Sequence, residues 1–338
     1  MNYIGSKHKL SPFIFKTVTE ICGSNLSEMV FCDLFAGTGI VGRNFKPHVK
    51  QVISNDVEYY SYVLNRNYIG NQFEFEYQGL LDALDSLKGV KGFIFENYSE
   101  GGKSGRNYFT SENGQKIDTI RIQIKTWKEN SLISEDQYFF LLASLLEAAD
   151  KVANTASVYG AYLKQIKKSA AKPLKMAAAA NEKNLFTITD QKNIVFQKDA
   201  NELIKEIAGD ILYLDPPYNA RQYGANYHLL NTISKYDTFV PKGITGLRDY
   251  YKSDWCRTGE VLKSFEELIE NAQFPYIFLS YNNEGIMSQS DVATVMKRFG
   301  KYSLKTEKYQ RFKADKTENR NHKASETFEY LHILEKSL

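Results

Sequence analysis

The chain has 338 residues, 43% of them apolar and 25% charged, the balance of a globular protein long enough for two domains. Its net charge of +3 does not by itself indicate a nucleic-acid partner. Three scattered cysteines (Cys22, Cys32 and Cys256) and five dispersed histidines argue against a disulfide framework and a zinc cluster. The longest apolar run, 138–149, is too short to span a bilayer. We therefore expect a cytoplasmic protein without a metal.

Strands and helices alternate along the first part of the chain. In chain order the pattern predicts a helix, a strand, a strand and two helices, at 11–22, 28–35, 51–56, 58–70 and 134–152. Ser11 is predicted to cap the first helix, with Pro12 at its first position, and Ser134 to cap the last. Gly70 is the expected C-terminal residue of the fourth element. Strands joined through helices predict a parallel sheet.

A polar and then basic stretch interrupts this alternation. Residues 90–130 contain several glycines and show little periodicity, so they predict irregular structure. Residues 160–192 carry seven lysines against one Glu and one Asp, a local net charge of +5. We predict an inserted region at 76–189, with 1–75 and 190–338 forming one catalytic domain.

The alternation of strands and helices resumes after the insertion. Strands are predicted at 193–199, 210–214 and 275–283, and helices at 200–207, 226–233, 265–272 and 289–300, the last closed by Gly300. The final segments, 301–313 and 326–336, look like strands joined by a loop too short for a crossover helix. They should therefore pair antiparallel. The expected fold is an open, mostly parallel α/β sheet with an antiparallel C-terminal strand.

A glycine turn follows the first strand. Gly37, Gly39 and Gly42 form G-x-G-x-x-G, and Asp56 lies 19 residues beyond Gly37 at the end of the second strand. This arrangement suits a cofactor that contains a nucleoside. Asp33 at the end of the first strand would repel a pyrophosphate but attract an ammonium group. The turn therefore favours S-adenosylmethionine (SAM) over a nicotinamide dinucleotide.

The segment ILYLDPPYNARQY (211–223) raises a different question, because two prolines follow directly after an apolar strand. Proline has no N–H to donate and commonly ends a strand. Five motifs in one order give the segment a further meaning. MNYIGSK (1–7), DLFAGTG (33–39), ND (55–56), KD (198–199) and DPPY (215–218) together resemble the D12-class, Dam-like adenine-N6 DNA methyltransferases. The resemblance covers roughly 1–70 and 190–338.

The resemblance implies a SAM-dependent enzyme that methylates adenine in double-stranded DNA, encoded by a bacterium or phage. It also implies a restriction-modification system, in which a cognate endonuclease would act independently. Lys7 would meet the SAM carboxylate, Asp56 the ribose hydroxyls and Asp199 the adenine amino group. The other implied cofactor-binding residues are Tyr3, Asp33, Phe35, Ala36, Gly37 and Gly39. Taken alone, Lys7 is equally consistent with a surface lysine, and Asp199 with a helix N-cap.

The same resemblance makes Asp215, Pro216, Pro217 and Tyr218 the catalytic residues. An adenine amine is a poor nucleophile because its lone pair is delocalised into the ring. The Asp215 carboxylate and the Pro216 carbonyl would accept the two amine protons and free that lone pair. Tyr218 would stack on a base flipped out of the duplex.

The predicted insertion corresponds to the target-recognition region of Dam-like enzymes. Its lysines suit phosphate contact, although such runs often only solvate a surface. The residues we expect at DNA, including four that follow the catalytic strand, are Arg106, Lys164, Lys168, Lys172, Arg221, Tyr223, Tyr227 and His228. An RNA guanine-N2 methyltransferase, a cytosine-N4 DNA methyltransferase, a catalytically silent DNA-binding protein and a dehydrogenase remain as alternatives.

Overall fold

The structure is a computed structural model that describes residues 7–179, 189, 191–309 and 327–337. These residues divide into two compact units. The first, which we call the insert unit, comprises 58–179 and 223–251. The second, which we call the sheet unit, comprises the remaining described residues, 7–57, 189, 191–222, 252–309 and 327–337.

Twelve α-helices are present in the described residues. Their bounds are α1 Ser11–Cys22, α2 Ile40–Phe45, α3 Tyr59–Asn65, α4 Gln78–Ser86, α5 Phe93–Tyr98, α6 Ser111–Glu129, α7 Glu135–Lys151, α8 Ala200–Leu203, α9 Tyr223–Asn226, α10 His228–Lys235, α11 Val261–Asn271 and α12 Gln289–Met296. A π-helical turn, Arg66–Gly70, follows α3, and a 3-10 turn covers Asp254–Cys256. None of the helices described is long and apolar enough to cross a membrane.

The sheet unit is built on seven strands. Their bounds are β1 Val30–Asp33, β2 Gln51–Asn55, β3 Ile194–Phe196, β4 Ile211–Leu214, β5 Tyr276–Asn282, β6 Gly300–Tyr309 and β7 Thr327–Lys336. The order across the sheet is β3-β2-β1-β4-β5-β7-β6. The first five strands in this order are parallel, whereas β7 pairs antiparallel with both β5 and β6. The predicted fold class is confirmed. Residues 310–313 and 326 of the last two predicted strands lie outside the described residues.

Capping residues in the sequence predicted some helix ends correctly and others incorrectly. Ser134 caps α7 through a capping box with Gln137, as predicted, which contributes about 1 kcal/mol. Ser11 is not a cap, because the N-cap position of α1 is Leu10 and the Ser11 hydroxyl donates to the Lys7 carbonyl at 2.8 Å. Gly70 is the last residue of the π-helical turn. Gly300 begins β6 and does not close α12, which ends at Met296.

The prediction of irregular structure for 90–130 was wrong, because this stretch contains α5 and α6. Ile117, Ile120 and Ile124 repeat at helical spacing and are fully buried on one face of α6. From the same helix, the Asp118 carboxylate accepts hydrogen bonds from the backbone N–H groups at the start of α5, among them Ile94 at 2.8 Å. Helix α6 has only one narrow apolar face and is otherwise polar, so its overall composition did not indicate a helix.

The boundaries of the two units differ from the predicted domain boundaries. Tyr60 and Val63 of α3, together with Leu230 and Ile233 of α10, belong to the same buried apolar cluster as Phe140 of α7. Chain on both sides of the predicted insertion therefore packs with it. The insert unit accordingly starts at Glu58, earlier than position 76, and also takes in 223–251.

Candidate active site

The candidate site lies at one edge of the sheet unit. Asp33 is the last residue of β1, Asp56 follows β2, and Asp215 follows β4. Because β2, β1 and β4 are adjacent and parallel, their carboxyl ends meet at the same edge. Ligands of open α/β sheets bind at that edge. Three acidic residues far apart in the sequence are thus brought to neighbouring strand ends.

The glycine turn after β1 depends on two residues in the left-handed region. Gly37 has φ 53° and Gly39 has φ 74°, conformations that cost another residue roughly 1 kcal/mol. The Asp56 carboxylate accepts a hydrogen bond from the Gly37 N–H at 2.9 Å. The Gly39 N–H donates to the carbonyl of Ala36 at 2.7 Å. Asp56 therefore braces the turn as well as lying at the ligand edge.

Asp33 is a buried carboxylate with one oxygen unused. Its side chain is only 1% exposed, and its Oδ2 accepts the Gly42 N–H at 3.1 Å. Its buried Oδ1 has no hydrogen-bond partner among the described residues. Burial raises the pKa of Asp33 to about 8, although the Gly42 N–H opposes the shift. Such a group is suited to receive a cation, which would restore its charge.

Asn55 ties three strand ends together. Its Nδ2 donates to the carbonyls of Leu34 and Lys198, both at 3.1 Å, and its Oδ1 accepts the Lys198 N–H at 3.0 Å. No local pattern predicted this role for Asn55, the first residue of the ND motif. Asp199 is the N-cap of α8, with Oδ1 accepting the N–H groups of Asn201 and Glu202. The cap interpretation of Asp199 is therefore correct for this oxygen.

Lys7 lies between two carboxylates. Its ammonium nitrogen is 3.0 Å from Asp215 Oδ1 and 2.9 Å from Glu329 Oε1. Glu329, on β7, also accepts the Ser280 hydroxyl of β5 at 2.7 Å. The predicted partner of Lys7 was the SAM carboxylate, whereas the structure pairs its charge with the protein. The side chain is 4% exposed, so the surface alternative is wrong.

The charges in this cluster shift the pKa values of Lys7 and Asp215. Burial lowers the pKa of Lys7, but Asp215 and Glu329 raise it more together, so the pKa lies well above its ordinary value. Burial raises the pKa of Asp215 to about 6, with Lys7 opposing and Glu329 adding to the rise. Lys7 therefore stays charged and keeps Asp215 ionised at neutral pH. The sequence analysis did not identify Glu329. The available signal was an acidic residue on the same face of a predicted strand as the apolar residues Leu331 and Ile333.

The aromatic residue of DPPY sits against an apolar wall. The Tyr218 ring meets the Tyr281 ring edge-on, with centroids 6.4 Å apart, and the Lys7 nitrogen lies 5.6 Å from its centroid. The Tyr218 carbonyl accepts the Ile286 N–H at 3.1 Å, which fixes the chain after the two prolines. Tyr218 is half-buried, so part of its side chain faces solvent. Phe35 packs edge-on against Trp255, with centroids 4.9 Å apart.

The residues expected at DNA fall into three groups. Lys164, Lys168, Lys172 and Arg221 are exposed, and Tyr223 is half-buried. Tyr227 and His228 are fully buried, with His228 Nε2 3.0 Å from the Tyr159 carbonyl oxygen, so the interior position corrects their predicted place at a DNA surface. Arg106 uses its guanidinium on backbone carbonyls within the insert unit. Tyr3 lies outside the described residues. No group of metal-binding side chains occurs in the described chain.

An open α/β sheet with glycines after β1 and D-P-P-Y after the adjacent strand β4 fits the arrangement expected of a SAM-dependent amino-group methyltransferase. A family model described as D12 class N6 adenine-specific DNA methyltransferase matches residues 3–295. The chain belongs to that family.

Relatives support the same family. Type II methyltransferase M.NlaIII of Neisseria lactamica is 62% identical over 338 residues, which is all of both chains. M.CviAII of Paramecium bursaria Chlorella virus 1 is 39% identical over 93% of each chain. M.FokI of Planomicrobium okeanokoites is 38% identical over the whole chain, which spans 53% of that relative. The predicted activity, SAM dependence and DNA substrate are confirmed, and adenine-N6 methylation is favoured over the alternatives.

Proposed function

We propose that Asp215, Pro216 and Tyr218 carry out the methylation of adenine N6. The Asp215 carboxylate and the Pro216 carbonyl would each accept one proton of the amine, which frees the nitrogen lone pair for attack. The observation that carries this proposal is the contact of Asp215 with Lys7 at 3.0 Å, because it favours an ionised acceptor at a buried strand end. Pro217 would hold the chain extended between the acceptor pair and Tyr218.

The Tyr218 ring would stack on an adenine extruded from the duplex. Edge-on contact with Tyr281 holds the ring in place from one side, which supports this use. An extruded base loses its stacking partners, and an aromatic face replaces part of that lost interaction.

The residues at the strand ends fit SAM, which supplies an electrophilic methyl group when bound. Asp33, with a buried and unused oxygen among the described residues, suits the ammonium end of the methionine part. Asp56 suits the ribose hydroxyls. Ala36, Gly37 and Gly39 would let the backbone approach closely, and the remaining proposed contacts come from Tyr3, Phe35 and Asp199. Lys7 is better placed to hold Asp215 than to meet a ligand.

Lys164, Lys168, Lys172 and Arg221 are the proposed phosphate contacts, because they are exposed cations. The relatives from a Neisseria and from a chlorella virus are both named Type II methyltransferases. We propose that this chain likewise protects DNA alongside a restriction endonuclease that acts independently. Sequencing of modified bases in DNA from cells that express the gene would give the methylated base and its sequence context.

The residue assignments are tested by replacing Asp215 with Ala or Asn. Transfer of tritium from labelled SAM to duplex DNA should fall by about a thousandfold in Asp215→Ala, because the acceptor that frees the lone pair is lost. The loss should be smaller in Asp215→Asn, whose amide oxygen still accepts a hydrogen bond. Binding of SAM, measured by calorimetry, should stay within about threefold. Asp254→Ala, which removes an exposed acid of the same unit, is the matched control. Normal turnover by Asp215→Ala would refute the assignment.

A further inference from the structure

Glu329 is a buried acid for which the proposed methyl transfer has no direct use. It lies on β7 with 6% of its surface exposed, on the strand face that also carries the buried residues Leu331 and Ile333. The charge that it faces is Lys7, which is also the partner of Asp215. A buried carboxylate is costly unless charge and hydrogen bonds compensate for the lost water. A second acid against the same lysine is therefore a feature that the role of Asp215 alone does not explain.

The position of Glu329 and that of Lys7 are both fixed by local structure. The Ser280 hydroxyl of β5 donates at 2.7 Å to Glu329 Oε1, the same oxygen that faces Lys7. Because β5 and β7 are antiparallel neighbours in the sheet, the register of the two strands sets this contact. The Lys7 carbonyl accepts the N–H groups of Leu10 and Ser11 at 2.9 and 2.7 Å, which holds its backbone at the start of α1. The ammonium group is thus presented to two acids from a fixed backbone.

The Lys7 ammonium is shared almost equally between those acids. Its nitrogen is 2.9 Å from Glu329 Oε1 and 3.0 Å from Asp215 Oδ1. When all three side chains are ionised, the cluster keeps one net negative charge. Without Glu329, the whole charge of the lysine would act on Asp215. A carboxylate in such a full ion pair has a lower proton affinity and is a weaker acceptor for the adenine amine.

The pKa of Asp215 agrees with this sharing. Burial raises it to about 6, Lys7 opposes the rise, and the charge of Glu329 adds to it. Two further titratable groups face Asp215. Burial raises the pKa of Tyr213 well above its ordinary value and that of Asp33 to about 8, so both are mainly uncharged at neutral pH. Lys7 and Glu329 are therefore the charges beside Asp215 in the described part of the chain.

We propose that Glu329 is a positioning residue for methyl transfer, which divides the Lys7 ammonium between itself and Asp215. Lys7 keeps Asp215 ionised, and Glu329 prevents the same cation from weakening Asp215 as an acceptor of the adenine amine proton. Glu329 acts through Lys7 and the local charge, and the proposal rests on the proposed function of Asp215.

The test replaces Glu329 with Gln, which removes the charge and keeps an oxygen that can accept the Ser280 hydroxyl. The assay is the single-turnover rate of methyl transfer to duplex DNA, with saturating SAM, between about pH 5 and pH 9.5. Because the charge of Glu329 raises the pKa of Asp215, its loss should move the midpoint of the acidic limb down by about one pH unit. The plateau rate at high pH should fall by about three- to tenfold, since the acceptor is weaker.

Glu335→Gln is the matched control for this variant. Glu335 lies on the same face of β7 and pairs with Lys301 at 2.6 Å, so the change removes an acid with a lysine partner away from Asp215. Both the midpoint and the plateau should stay at their wild-type values. Glu329→Asp keeps the charge, and its midpoint should lie closer to that of wild type than to that of Glu329→Gln. Binding of SAM, measured by calorimetry, should stay within about threefold in all three variants.

A second measurement needs neither SAM nor DNA. In protein isotopically labelled at the aspartate carboxyl carbons, an NMR titration gives the pKa of Asp215, with the signal assigned from Asp215→Asn. This pKa should be lower in Glu329→Gln than in wild type, because the neighbouring negative charge is gone.

Two outcomes would overturn the proposal. One is an unchanged midpoint in a Glu329→Gln protein whose thermal unfolding matches wild type, because a purely structural role does not move the midpoint. The other is a lower midpoint with an unchanged plateau, because Asp215 would then not need the sharing. If the proposed function were wrong, Asp215→Ala would stay active while the NMR titration still reported the effect of Glu329, so the two failures are distinguishable.

Discussion

Replacing Lys7 with methionine removes the cation from a buried cluster and leaves Asp215 and Glu329 without it. At 3.0 Å and an effective dielectric constant of about 20, the attraction of Lys7 for Asp215 is about 5.5 kcal/mol. This energy corresponds to about four pKa units, at about 1.4 kcal/mol per unit. The Asp215 side chain is 18% exposed, so solvent takes up part of the effect. We expect the pKa of Asp215 to rise by about two units from its value of about 6.

The assay is the pH dependence of kcat/KM for methyl transfer between about pH 5 and pH 9.5. The proposed mechanism needs the Asp215 carboxylate, so it predicts a rate that rises with pH through the pKa of Asp215 and then levels off. In Lys7→Met this rise should move to about pH 8. At pH 7 the variant should lose about tenfold in rate, and it should regain most of that loss at pH 9. Lys7→Arg keeps the charge and is the control.

The sequence-based role of Lys7 makes a different prediction. If Lys7 instead bound the SAM carboxylate, Lys7→Met would raise KM for SAM and leave the midpoint of the pH profile in place. That result, with thermal unfolding showing that the variant is folded, would refute our interpretation of the cluster.

Two further predictions follow from Asp33 and from the exposed lysines. The pKa of Asp33, raised to about 8 in the folded protein and near 4 when unfolded, implies stability that is present at low pH and lost as pH rises toward 8. Without SAM at pH 8, Asp33→Asn should therefore have a free energy of unfolding about 1–3 kcal/mol higher than wild type, and should unfold at a higher temperature. It should also bind SAM at least about tenfold more weakly, as measured by calorimetry. Equal unfolding temperatures at pH 8 would contradict this reasoning. Alanine at Lys164, Lys168 and Lys172 together should reduce the slope of log DNA affinity against log salt by about 2 to 3, while an unchanged slope would exclude them as phosphate contacts.

The sequence by itself determined the class of protein. Motifs such as DLFAGTG and DPPY are local, because a strand, a turn and the side chains at its end lie within ten residues of one another. The alternation of apolar runs with helices was enough to predict the parallel sheet, and the short C-terminal connection was enough to predict the antiparallel pairing. Ser134 could be assigned as a cap because the cap and its partner are three residues apart.

Only the tertiary structure decided which distant residues act together. Lys7, Asp215 and Glu329 are separated by more than a hundred residues at each step, and their charges meet because β7 enters the sheet beside β5. Tyr227 was predicted at a surface but is buried, since burial depends on which helices cover a face. Arg106 donates to the carbonyls of Gly243 and Ile244, which lie more than a hundred residues away in the sequence, so these contacts have no local signal. The pattern of residues along a sequence predicts helices, strands and turns, which are local. Charge pairing and burial depend on how distant parts of the chain pack together.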